Sequence, residues 1–136
     1  MRRVLFLSAA MLAGASGAAW ADCTSPRVPP SLQTLFGGSR IVVTGGANTA
    51  NEHHGAGGVL TECAQGSAST VDPTHVAGTW RVDPDGGGGE IITYDYGTGG
   101  KYTFSVHENG GGNYSFCHFP AGGLAASGNL VGGSCP

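Results

Sequence analysis

From residue 79 onward, apolar and polar positions alternate with a period of two. Trp80 and Val82 share one side of a short run. Ile92, Tyr94 and Tyr96 point one way while Thr93 and Asp95 point the other. The pattern returns with Tyr102, Phe104 and Val106 against Lys101, Thr103, Ser105 and His107, and again with Tyr114 and Phe116 against Ser115 and Cys117. Glycine clusters at residues 97–100 and 110–112 separate these runs. Alternating aromatic and β-branched residues cut by glycine turns predict strands, and centres spaced ~11 residues apart predict an antiparallel meander.

Upstream the pattern is weaker. Residues 40–44 (Arg-Ile-Val-Val-Thr) predict a strand ending at Gly45-Gly46, residues 58–63 a second, and Leu130-Val131 a last one. Residues 45–57 and 64–78 read as loops. Ser31 is placed to N-cap one helical turn, with Leu32, Leu35 and Phe36 on one side and Gly37-Gly38 stopping it. Residues 22–30 are a Pro-rich extended lead-in. No helical pattern of ~10 residues occurs after residue 21, so the predicted fold is all-β: a small antiparallel meander or up-and-down barrel of six or seven strands with one short N-terminal helical turn. The pattern leaves closure open. If closed, so small a barrel is expected to be filled by its own side chains.

The first 21 residues do not belong to that domain. Arg2 and Arg3, an apolar run from Val4 to Leu12, and Ala19-Trp20-Ala21 before Asp22 form the three-part layout of a cleavable signal peptide. The apolar run is shorter than the ~20 residues that span a bilayer, so no transmembrane anchor is expected. A lipid anchor on Cys23 is disfavoured because Trp20-Ala21-Asp22 is a poor match to the triplet preceding lipidated cysteines. The expected organisation is a signal peptide at 1–21 and a single β domain at 22–136, periplasmic or secreted. Cleavage leaves four basic residues (Arg27, Arg40, Arg81, Lys101) against nine acids, a net charge of −5 with histidines neutral. That sign excludes a nucleic-acid surface, which needs positive charge to displace counterions from phosphates.

All four cysteines (Cys23, Cys63, Cys117, Cys135) lie in the domain. An even number in an exported chain predicts two disulfides. Of three possible pairings, Cys117–Cys135 with Cys23–Cys63 is favoured here because each closes its segment without crossing the other. Leu, Ile, Val and Phe make up under a fifth of residues 22–136, a thin core that cross-links would support.

Gly78-Thr79-Trp80 before a strand is similar to the G-x-W signature of lipocalins, where the tryptophan packs across one end of the barrel. In lipocalins that motif opens the first strand, with far more chain after it than the 56 residues here. A wider resemblance runs through Val71-Asp72-Pro73, residues 76–82, Tyr94-Asp95-Tyr96-Gly97, residues 102–107 and Tyr114-Ser115-Phe116-Cys117. It is to short, uncharacterised exported proteins of proteobacteria. Residues 32–43 and Glu52-His53-His54 with Gly57-Gly58 resemble the earlier part of that group more loosely. The resemblance implies a lipocalin-like β fold outside the cytoplasm, and carries over no catalytic residues.

Four clusters invite chemistry. Glu52-His53-His54, joined by His75, His107 or His118, has the donor types of a Zn²⁺ or Cu²⁺ site. The competing reading is a polar loop, since neighbours on extended backbone point to opposite faces. His107 and His118 could meet across two strands. Asp83-Pro84-Asp85-Gly86 with Glu90 is acidic but lacks calcium-loop spacing, and reads better as a hairpin connection. Trp80, Tyr94, Tyr96, Tyr102, Phe104, Tyr114 and Phe116 are either the core or the lining of a cleft for a small apolar ligand. No nucleophile elbow or phosphate loop is present. The leading expectation is a non-enzymatic module of the cell envelope, binding a small apolar ligand or an envelope protein, with no cofactor. A metal-binding protein or metal-dependent enzyme built on Glu52-His53-His54 is the first alternative, with a divalent metal as its cofactor, and a structural or interaction role is the second.

Overall fold

The computed structural model describes residues 22–46, 50–64 and 73–136. The expected signal peptide, and Val71-Asp72 of the resembling string, lie outside the described residues. The described residues form a helical turn α1 (Leu32–Phe36) and eight strands: β1 (Ser39–Gly46), β2 (Asn51–His54), β3 (Val59–Glu62), β4 (His75–Pro84), β5 (Glu90–Asp95), β6 (Lys101–Gly110), β7 (Asn113–His118) and β8 (Leu124–Gly132). Each pairs antiparallel with the next, and β8 returns to β1, so the sheet is a closed barrel in sequential order. The all-β, lipocalin-like expectation holds, with eight strands rather than six or seven. Among the described residues no helix is long and apolar enough to cross a membrane.

Period-two alternation places Ile92, Tyr94, Phe104, Val106, Tyr114 and Phe116 inside, where they pack with Ile41, Leu60 and Trp80. One end of the barrel is plugged. Ser31 Oγ accepts the Thr34 N–H at 3.1 Å, as expected of an N-cap, and α1 sinks Leu32 and Phe36 into the core. The Phe36 ring lies 5.3 Å from His54 and 5.9 Å from both Tyr114 and Phe116. Glu90 Oε2 accepts the Leu32 N–H at 2.7 Å, fixing the helix entry to β5.

The lead-in is part of the wall. β5 pairs with β6 only as far as Phe104, and beyond that point residues 26–28 take its place beside β6. Val28 N–H donates to the Val106 carbonyl at 2.9 Å, and Glu108 N–H donates to that of Pro26 at 2.8 Å. Arg27 then bridges to Asp85 and the Glu90 carbonyl in the β4–β5 connection. Asp85 also accepts the N–H groups of Gly87 and Gly89, so the acidic run at residues 83–90 is a hairpin connection.

The cysteines pair as Cys23–Cys117 and Cys63–Cys135, which corrects the non-crossing preference. Cys117 stands opposite Leu124, near the β7–β8 turn, whereas Cys135 follows the far end of β8. Eight residues of strand put those ends roughly 27 Å apart, well beyond the ~7 Å Cα limit for a disulfide. Cys23–Cys117 ties the lead-in to β7. Cys63–Cys135 ties the tail after β8 to the end of β3, three strands away with β1 and β2 between.

Candidate functional site

The end of the barrel opposite α1 is hollow, against the expectation of a filled interior. A cavity of about 730 Å³ opens there, within the range of small-molecule sites. Small residues line part of it, Gly46 at the end of β1, Ala50 just before β2 and Ala126 on β8. Tyr94 and Phe116, 4% exposed each, form the floor. Tyr96, Tyr102 and Phe104 rise from it, with His118 and Leu124 at the rim. The rings form a continuous wall: Tyr94 to Tyr96 6.4 Å, Tyr96 to Tyr102 6.1 Å, Tyr94 to Phe104 6.0 Å, and Phe104 to His118 5.4 Å.

Of the seven aromatics expected to line a cleft, five do so. Trp80 and Tyr114 are core residues toward the plugged end. The indole Nε1–H of Trp80 donates to the Gly55 carbonyl at 3.1 Å, and the ring stands edge-on to His54 at 5.0 Å. Trp80 stands on the fourth strand, whereas the lipocalin G-x-W motif opens the first.

Two carboxylates complete the cavity wall. Glu52 on β2 and Glu62 on β3 are register partners, which puts their Cβ atoms ~5 Å apart on one face, and both line the cavity. Tyr96 Oη donates to Glu52 Oε1 at 2.7 Å. Burial raises the Glu52 carboxyl above its ordinary range; the tyrosine bond opposes this, and the Glu62 charge adds to it. The same burial, with the Glu52 charge beside it, raises the Tyr96 phenol, keeping it protonated as the donor.

The expected metal cluster is divided among separate places. Glu52 faces the cavity. His53 sits on the opposite face of β2, between Arg40 and Thr61 in the register. His54 is fully buried in the core, where Tyr94 Oη donates to its Nε2 at 2.8 Å. Its Nδ1 faces the Ser39 carbonyl at 3.4 Å, which requires the proton on Nδ1 and leaves Nε2 as acceptor. Among the described residues no three His, Cys, Asp or Glu side chains come close enough to hold a metal ion.

His107 and His118 do not meet either. His118 pairs with Phe104 on the cavity side, whereas His107 pairs with Ser115 and faces outward. His107 lies beneath the lead-in: Nδ1–H donates to the Ser25 carbonyl at 2.7 Å, and Nε2 accepts from Ser105 Oγ at 3.0 Å. This Ser-His pair is 7–8% exposed, with a main-chain carbonyl where an acid would orient the imidazole. It anchors the lead-in and offers no surface to a substrate. His75 lies 3.7 Å from Glu62 at the β3–β4 end, half exposed.

Glu62 was not singled out in the sequence. Its only signal is indirect: in residues 59–62, alternation places it on the same face as Leu60. Its partnership with Glu52 comes from a register that no local pattern specifies.

Fold and site together define a class of molecule, a small disulfide-linked β-barrel plugged at one end and hollow at the other. Comparison of the chain with known protein families, with curated proteins and with solved structures finds no match.

Proposed function

We propose that this chain is an exported, non-enzymatic carrier or sensor of the cell envelope that holds a small molecule in the open end of its barrel. The cavity carries this reading. A chain with a thin core leaves about 730 Å³ unfilled in its interior, and surrounds it with aromatic rings and a few polar groups. Such a composition buries an apolar body and orients it through polar contacts. The Cys23–Cys117 and Cys63–Cys135 bonds and the layout of residues 1–21 support a destination in an oxidising compartment. The resemblance to exported proteobacterial proteins fits the same destination.

The test is native mass spectrometry of protein purified from the periplasm or medium, followed by titration with a fluorescent apolar probe. A bound small molecule, or micromolar probe binding that Ala126→Phe abolishes while the near-UV dichroism is kept, is the expected result. Probe binding unchanged by Ala126→Phe would place any ligand elsewhere and defeat the proposal.

A further inference from the structure

We infer that the open end of the barrel selects a small organic ammonium ion, seating its nitrogen at Glu52 and Glu62 and its apolar body against Tyr96, Tyr102 and Phe104. The inference rests on the reading of the cavity as a ligand site, and adds the charge of the ligand.

Residues 22–136 contain four Arg and Lys side chains, and all four are engaged elsewhere. Arg27 pairs with Asp85, Arg81 with Asp83 at 2.7 Å and Lys101 with Asp95 at 2.9 Å. Arg40 donates to Asn51 Oδ1 at 3.2 Å. None lines the cavity, whose charged or titratable groups other than phenols, among the described residues, are Glu52, Glu62 and the rim residue His118. Among the described residues Glu62 has His75 at 3.7 Å, and Glu52 has the Tyr96 phenol. Two like charges placed directly opposite on neighbouring strands repel, and partial burial weakens the screening that would relieve them. A guest ammonium ion between them offsets one of the two charges and relieves the repulsion.

The rest of the wall suits the same guest. The faces of aromatic rings attract cations, and more strongly where water is excluded. Tyr96 is bonded through its hydroxyl to Glu52, so its ring is held beside the carboxylate. An organic anion would meet two carboxylates and no Arg or Lys. A bare metal ion would find two carboxylates but no third Asp, Glu, His or Cys within reach among the described residues. An ammonium ion with an aromatic or aliphatic body uses the carboxylates and the rings together.

The experiment is a ¹H–¹⁵N NMR titration of the oxidised protein at pH 7 with three matched probes: 2-phenylethylamine, 2-phenylethanol and 3-phenylpropionate. The amine is expected to bind about tenfold more tightly than the alcohol, and the carboxylate more weakly than the alcohol. Shifts should centre on Glu52, Glu62, Tyr96 and Tyr102. Glu52→Gln and Glu62→Gln should each bring the amine's affinity toward the alcohol's, narrowing the ratio between the two. Glu62 is part-exposed, so Glu62→Gln serves if Glu52→Gln does not fold. Cavity shifts with the alcohol but no preference for the amine would overturn the inference and leave the ligand-site reading standing. No cavity shifts with any probe would overturn both.

Discussion

His54 shows how one buried side chain sets a pH limit on the fold. Burial is the main cause that depresses its imidazole from 6.5 to about 4, with the Ser39 carbonyl opposing and the His53 charge assisting. On unfolding, the ring regains its ordinary affinity for a proton. The stabilisation from keeping it neutral is therefore whole above pH 6.5 and is lost as pH falls toward 4, up to about 3 kcal/mol. Urea unfolding of wild type and His54→Phe at pH 7.5 and 4.5 should show the smaller acid-induced loss in the variant. Glu52 works in the opposite sense. Its raised carboxyl favours the protonated form in the folded state, so ionisation at neutral pH weakens the fold. Glu52→Gln keeps an acceptor for Tyr96 and removes a charge facing Glu62, and should raise the melting temperature at pH 7 by a few degrees while removing the preference for amines. At this scale the sequence announced Glu52 and His54 by residue type, and the alternation rule already separated His53 from them. It gave no sign that His54 would leave Glu52 for the core, because α1 and Phe36 create that environment from elsewhere in the chain.

Elements were legible where propensity and pattern agreed. α1 formed at the expected residues because its cap, apolar stripe and glycine stop coincide. β5, β6 and β7 followed their alternation. β2 was missed because Asn-Glu-His-His combines weak strand formers in four residues; it is a strand through pairing with β1 and β3. β4 begins four residues earlier than expected, at His75, and Gly78 explains how. The register shifts between Leu60 and Thr61 opposite this stretch, and a Cβ at Gly78 would collide with the Asp95 carbonyl oxygen on β5. The glycine of the G-x-W motif is thus a point of close strand approach, where one methyl group has no room. Gly78→Ala should destabilise the barrel by about 2 kcal/mol or more, measurable in denaturant midpoints. Gly86→Ala, in the exposed hairpin, makes no such contact and should cost only the strain of its positive φ.

For the whole molecule, the disulfides join distant parts of the chain. Their sequence separations of 94 and 72 correspond, by loop entropy, to about 4–5 kcal/mol each as an upper value. Replacing Cys63 and Cys135 with serine should lower stability by about 2–5 kcal/mol and loosen the tail first, which hydrogen exchange would register in β8 before β5. Peptide mapping without reduction should recover Cys23 linked to Cys117 and Cys63 linked to Cys135. Counting cysteines predicted the number of bonds; it could not predict their partners, which depend on which ends of the barrel the strands reach. The hollow end was hidden for a similar reason: Gly46, Ala50 and Ala126 look unremarkable until closure sets them against the tyrosines.

Closure also has a consequence for how the chain is made. β1 completes its pairing only with β8, the latest in sequence of the strands among the described residues. Until Leu124–Gly132 arrives, β1 carries an open edge, the kind of strand on which other chains polymerise. Contacts this distant along the sequence also fold slowly. A ribosome delivering the chain from its N-terminus therefore releases its riskiest strand early and the shield for it last. A chain cut short before residue 124 would be left with two sticky edges, on β1 and on β7. Quality control that holds the chain unfolded until it is whole would suit this barrel better than folding as it emerges.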